Sequence, residues 1–180
     1  MIYLHVYQNP EDLKKQSKLL LHKNLSDYLH KDINKGDITY NPNGKPIIKG
    51  IHFSVSHSKN VVVQAFNDSQ ALGVDVEYIS NKRNYLALAK RYYHLEEFEL
   101  MKSLKPKHAC QLFYTLWSLK EAVCKAEGGR LWYYLSQNYL QQNKQLVTKM
   151  NGMNLTTHNG ITGYSLALAS YADTEIKVIL

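Results

Sequence analysis

No stretch of this chain approaches the roughly 18 uninterrupted apolar residues of a membrane-spanning helix, so no span is expected. The opening MIYLHVYQNPEDLKK lacks both a basic leader and an apolar signal region, which predicts a cytoplasmic protein. Cysteine is scarce. Cys110 and Cys124 have no CxxC or Cys/His metal spacing and fall in one predicted helix, where they cannot reach each other, so both read as buried or half-buried thiols. Arginine is scarce too: of 22 basic side chains only Arg83, Arg91 and Arg130 are not lysine. No arginine cluster, RNA-binding aromatic signature or zinc-finger spacing points to nucleic acid. What is present is a hydrophobic fraction of 44%, enough for a sizeable core in one unit or two closely packed halves. A net charge of +7 calls for an acidic partner: phosphates, nucleic acid or an acidic protein.

Alternation predicts a first strand over Ile2 to Tyr7. NPEDLKKQSKLLLHKNLSDYLH then opens a helix with Asn9 as N-cap, Pro10 at the first helical position and two acids in the first turn. Leu13, Leu20, Leu21, Tyr28 and Leu29 form its apolar stripe, with Lys14, Lys15, Lys18 and Lys23 toward water. NPNGKP (Asn41 to Pro46) is a turn-rich loop, and IHFSVSHS, VVVQAF and ALGVDVEYI read as three strands. Around residues 80–83 the pattern turns helical: NYLALAKRYYH, LEEFELMKSL halted by Pro106, and HACQLFYTLWSLKEAVCKAEGG ended by Gly128 and Gly129. GYSLALASYA and TEIKVIL return to strands. The expectation is an α+β chain in two halves, 1–80 and 81–180, with no flexible linker.

Four short segments carry chemistry. In LGVDVEYI a period of two puts Asp75 and Glu77 on one strand face, with Val74 and Val76 toward the core. Alone, such a pair is a solvated strand face. In FYTLWSLKEAVCKAEG, Trp117, Glu121 and Lys125 recur at intervals of four, on roughly one helix face; alone, Glu121 and Lys125 read as an exposed pair and Trp117 as core. FSVSHS ends a strand in Ser56, His57 and Ser58, and NGKP supplies Lys45.

In combination and order, N-G-K-P, F-S-V-S-H-S, G-V-D-V-E and W-x-x-K-E-A-x-x-K-x-x-G resemble the 4'-phosphopantetheinyl transferases, specifically the long pseudo-dimeric type that activates peptide and polyketide synthetases in secondary metabolite biosynthesis. The resemblance runs from about Asn43 to Gly128. It implies two similar α+β halves related by a pseudo-twofold axis, with the active site between them. It also implies transfer of the phosphopantetheine arm of coenzyme A to a serine hydroxyl of an apo acyl or peptidyl carrier protein, releasing adenosine 3',5'-bisphosphate.

By the same resemblance Asp75, Glu77 and Glu121 are ligands of Mg2+, or of Mn2+ in its place, and Glu121 is also the general base. Asp75 and Lys125 join Glu121 as catalytic residues. Lys45, Ser56, His57, Lys120 and Lys125 are expected at coenzyme A, with Lys14, Lys15, Lys18 and Lys23 as further basic candidates. The expected partner is a small acidic helical carrier protein, bound by a monomer, with no membrane and no nucleic acid.

The chain departs from the pattern in KAEGGRL, where Arg130 stands in place of a second glycine, and in LWYYLSQNYLQQNKQL, which carries no assignable pattern. Tyr133, Tyr134 and Tyr139 in that segment read as a docking surface, as core or as ordinary surface. The competing readings are a catalytically silent relative that binds coenzyme A or acidic proteins, the short homotrimeric transferases of fatty-acid synthesis, and a basic nucleic-acid-binding domain.

Overall fold

In the computed structural model, which describes residues 1–9, 12–173 and 175–179 and all their side chains except those of Lys14 and Lys35, the apolar alternation of IYLHVYQ forms strand β1, Ile2–Gln8, burying Ile2, Leu4 and Val6. Helix α1, Leu13–Leu29, starts later than Asn9. Asn9 turns into a left-handed conformation at φ 55° and bonds to Asn60 O, while the Asp12 carboxylate caps the helix by accepting from the Lys15 N–H at 3.1 Å. The expected Pro10 and Glu11 start signals lie outside the described residues.

The NPNGKP loop joins two short strands, β2 (Thr39–Tyr40) and β3 (Pro46–Ile47). The predicted β-rich stretch becomes β4 (His52–Ser58), β5 (Val61–Asn67) and β6 (Leu72–Tyr78). Four helices follow: α2 (Tyr85–Tyr92), α3 (Leu95–Ser103), α4 (Pro106–Glu127) and α5 (Leu131–Leu135). Pro106 stops α3 and opens the first turn of α4, where a missing N–H costs nothing. Gly128 closes α4 in a left-handed conformation at φ 66°, its N–H on Cys124 O. The chain ends in β7 (Lys149–Met150), β8 (Met153–His158), β9 (Tyr164–Ser170) and β10 (Ile176–Ile179).

Two four-stranded sheets result, in the orders β10-β1-β5-β4 and β6-β9-β8-β7. The strands do not divide at residue 80. β6 pairs antiparallel with β9, and β10 crosses back to lie parallel to β1. Within each sheet the same order recurs: a strand, a helical segment, then a strand pair whose last member lies antiparallel to the first, as β1-β5-β4 and β6-β9-β8.

The sheets pack face to face through Ile2, Leu4, Val63, Leu72, Val74 and Leu168, among others. α1 covers the outer face of the first sheet, where Leu25 meets Phe53 and Phe66. α4 covers the second, packing on β6 and β9. Among the described residues no helix is long and apolar enough to cross a membrane.

Candidate active site

The face of β6 that carries Asp75 and Glu77 also carries Gly73, two residues earlier. A Cβ on Gly73 would collide with Ala122 O and Ala126 N, so α4 rests directly on the strand backbone at this point. That close approach brings Glu121 and Lys125, one position before each alanine, to the edge of the acidic strand. Lys125 Nζ stands 2.7 Å from Asp75 Oδ1 and 3.0 Å from Ser56 Oγ, and Ser56 Oγ donates to the same Asp75 oxygen at 2.7 Å. Asp75 Oδ2 is buried and has no hydrogen-bond partner among the described residues.

Three serines of β4 hold this arrangement from the other side. Ser54 Oγ accepts from Val74 N, Ser58 Oγ accepts from Tyr78 N, both at 3.0 Å, and the Ser58 hydroxyl donates to Glu77 Oε2 at 3.3 Å. Side-chain hydroxyls thus replace a backbone ladder where β4 of the first sheet runs beside β6 of the second. Of the three, the sequence singles out Ser56 and Ser58, and only Ser56 as a binding residue; the polar spacing S-x-S-x-S in FSVSHS is the signal that also marks Ser54.

Electrostatics concentrates on the acids. Burial, reinforced by Asp75 and Glu121, pushes Glu77 up to about 7, against the opposing pull of Arg83 and the Ser58 hydrogen bond. Burial and then Asp75 raise Glu121, opposed by Lys125. Burial works against the Lys125 ammonium, but Asp75, Glu121 and Glu77 outweigh it and its pKa is raised. Like charges held this close favour proton uptake or a cation. Among the described residues, however, no three carboxylate, imidazole or thiol side chains stand close enough to hold a metal ion as arranged.

The NGKP loop clasps the C-terminal end of α4. Asn41 Nδ2 and Asn43 Nδ2 each donate to Gly128 O at 2.9 Å, and Lys45 Nζ donates to Ala126 O, satisfying carbonyls that the helix leaves open. Arg130, the departure from the expected glycine, reaches Asn43 Oδ1 at 3.4 Å and so joins this clasp. Beside it lies a cavity of about 250 Å³, lined by Lys45, Lys125, Ser54 and Cys124 among others. Burial lowers the pKa of Lys45 and raises that of Cys124 to about 11.

Ser56 and His57 diverge. Adjacent strand residues face opposite sides, so Ser56 turns to Asp75 while His57 lines a groove against α1 with Lys15, Lys18 and His22. Lys23 is exposed and outside that lining, and the Lys14 side chain lies outside the description.

Lys120 is not at the site. It is fully buried, paired with Glu97 at 2.9 Å, donating also to Leu135 O and Gln137 O, and flanked by the rings of Tyr93 and Tyr139. One residue from Glu121 is about 100° around the helix, which turns Lys120 into the core. Trp117 is half-buried against Phe113. Tyr134 and Tyr139 are buried, and Tyr133 is exposed.

A sequence model of the 4'-phosphopantetheinyl transferase superfamily matches residues 71–169, more than half of the chain. The chain is 33% identical over 115 residues to the 4'-phosphopantetheinyl transferase HetI of Nostoc sp., covering 61% of this chain and 48% of the relative. It is 38% identical over 97 residues to the 4'-phosphopantetheinyl transferase psf-1 of Bacillus pumilus, covering 52% and 40%. To the 4'-phosphopantetheinyl transferase AcpT of Escherichia coli it is 30% identical over 103 residues, covering 56% and 53%. The chain thus spans about half the length of the curated relatives it matches.

Proposed function

Because the chain belongs to the 4'-phosphopantetheinyl transferase superfamily, we propose that it transfers the phosphopantetheine group of coenzyme A to a serine hydroxyl of an apo acyl or peptidyl carrier protein. The observation that carries this reading is the meeting of Asp75 and Glu77 on β6 with Glu121 and Lys125 on α4. The serine oxygen attacks the β-phosphorus of coenzyme A, the bond to the α-phosphate oxygen breaks, and adenosine 3',5'-bisphosphate leaves.

Glu121 takes the serine proton, directly or through water; its raised pKa makes it a better acceptor than an ordinary carboxylate. Lys125 stabilises charge on the leaving phosphate, which requires its ammonium to shift from Asp75 toward the substrate. Lys45 lines the adjoining cavity and supplies a second cation. His57, Lys15 and Lys18 form a basic groove suited to the further phosphate of coenzyme A. Lys120, committed to Glu97, has no part in this scheme.

The donor set suits a hard divalent ion. Asp75, Glu77 and Glu121 offer carboxylate oxygens, and one of them, Asp75 Oδ2, is buried without a partner. These three residues would hold Mg2+, or Mn2+ in its place, and the ion when bound supplies neutralisation of pyrophosphate charge. The repeated strand order supports two pseudo-twofold-related halves with β6 opening the second, and a single chain then completes one site as a monomer.

The test is intact mass spectrometry of an apo carrier protein incubated with this protein, coenzyme A and Mg2+, beside an EDTA control and a Glu121→Ala variant. A gain of one phosphopantetheine only with metal and wild-type Glu121 is the expected result. No gain on a panel of apo carriers, from a folded protein that binds coenzyme A, would overturn the transfer reading in favour of a silent binder.

A further inference from the structure

Arg130, which stands where the motif pattern carries a second glycine, has no part in the transfer scheme, yet it borders the cavity of about 250 Å³ at the end of α4. It follows Gly129, and its Nε meets Asn43 Oδ1 at 3.4 Å; Gly129 and Asn43 both line that cavity. The two lysines there are already engaged, Lys45 Nζ with Ala126 O and Lys125 Nζ with Asp75 and Ser56. Arg130 is not. It is exposed, and among the described residues it forms no ion pair and its two terminal nitrogens have no hydrogen-bond partner. A flat cation with donors to spare therefore stands at the rim.

The chemistry of the cavity favours a base over a phosphate. Pro46, Phe53 and Val55 give it an apolar wall, and no carboxylate lines it. Its opposite wall is the last turn of α4 and its glycine cap, where the carbonyl end of the helix dipole disfavours an anion and suits the exocyclic amine of a purine. Pro46 and Val55 also line the basic groove of Lys15, Lys18 and His57, so one ligand can span both. Coenzyme A can do so with its 3'-phosphate in the groove, its pyrophosphate toward Lys125 and its adenine in the cavity.

We propose that the Arg130 guanidinium stacks on the adenine base of coenzyme A and closes this cavity over it. The inference rests on the transfer reading above, through its coenzyme A site, and deepens it. A guanidinium is planar and weakly hydrated, so it gains more on a π face than an ammonium does. Asn43 fixes its direction: the Asn43 Nδ2 is held on Gly128 O at 2.9 Å, which leaves Oδ1 to receive the Arg130 N–H. A glycine at this position would leave the base uncovered on that side.

The test is isothermal titration of wild type and Arg130→Ala with two probes, adenosine 3',5'-bisphosphate and ribose 3,5-bisphosphate, which keeps both phosphates and lacks the base. The Kd of adenosine 3',5'-bisphosphate is expected to rise about tenfold in the variant, while that of ribose 3,5-bisphosphate stays within about twofold of wild type. Arg130→Lys, which keeps the charge and loses the flat face, should bind as Arg130→Ala does. Both variants keep the wild-type melting temperature, because the side chain is exposed and its one contact is long. Equal losses on the two probes, or an Arg130→Lys protein that binds as wild type, would overturn the inference by giving Arg130 to a phosphate. An unchanged Kd for the nucleotide in Arg130→Ala overturns it outright. A wild type that binds neither probe removes the coenzyme A reading of the cavity, and this inference with it.

Discussion

Lys125 Nζ lies 2.7 Å from Asp75 Oδ1, and Ser56 Oγ contacts both, so a cation from α4, a carboxylate from β6 and a hydroxyl from β4 close one triangle. The Asp75 side chain is only 3% exposed and, among the described residues, forms no other ion pair, whereas Lys125 is 29% exposed. Lys125→Met leaves Asp75 a buried carboxylate with one hydrogen bond. The expected cost is about 2 kcal/mol, below the usual figure for a buried pair because water reaches Lys125. Transfer should slow about a hundredfold, as when one preorganised donor is removed from a charged transition state. Urea unfolding and carrier modification rates check the two effects separately; wild-type values in both would deny Lys125 its role.

Glu77 makes stability depend on pH. Its folded pKa of about 7 lies above the ordinary 4.5, so between those values the folded chain binds more protons than the unfolded one. Stability from this group is fully present below 4.5 and is lost as pH rises toward about 7. Glu121, also raised, adds in the same direction. In metal-free buffer the melting temperature of the wild type should therefore fall from pH 5 to pH 8 more steeply than that of Glu77→Gln. Parallel curves would remove Glu77 as a titrating contributor.

The buried pair of Glu97 and Lys120 binds α3 to α4, with Glu97 Oε1 also accepting from Tyr139 N at 2.8 Å. Burial lowers Lys120 to about 8 and raises Glu97, each opposed by the partner's charge. Lys120→Met strands a carboxylate in the core and should cost about 3 kcal/mol. Adding Glu97→Gln should restore part of that, because the remaining amide needs no counter-charge. A double-mutant cycle by urea unfolding measures the coupling; additive losses would mean that the pair is not coupled.

Much of this was legible from local pattern. The alternation in IYLHVYQ and LGVDVEYI marks strands because successive side chains face opposite sides, and Pro106 and Gly128 mark the ends of α4 because proline lacks the N–H a helix interior needs and glycine readily adopts the left-handed conformation that ends it. The period of two also separates Ser56 from His57, although the motif invites reading them together. Long-range pairing leaves no such trace. Nothing in TEIKVIL says that β10 returns to β1, and β8 shows apolar alternation only at Met153 and Leu155. Lys120 was misplaced because motif proximity to Glu121 says nothing of which way a helix residue points until the helix is docked.

Gly73 is the residue on which the geometry of the site turns, and it is a signal the sequence offered: a glycine inside a strand pattern marks a close backbone approach. Its conformation is one any residue can adopt, so only space forbids a side chain. Gly73→Ala sets a methyl against Ala122 O and Ala126 N, backbone atoms that no rotamer change can move aside. α4 must lift from β6, at a cost of about 1–3 kcal/mol. Because Glu121 and Lys125 flank those alanines, the same movement draws them from Asp75, and kcat should fall further than the stability loss accounts for at temperatures where the variant is folded. Gly36→Ala, which meets nothing within 4 Å, is the control. Wild-type kcat and unfolding midpoint for Gly73→Ala would show that α4 tolerates displacement, and that the joint between helix and strand does not set the distance between Lys125 and Asp75.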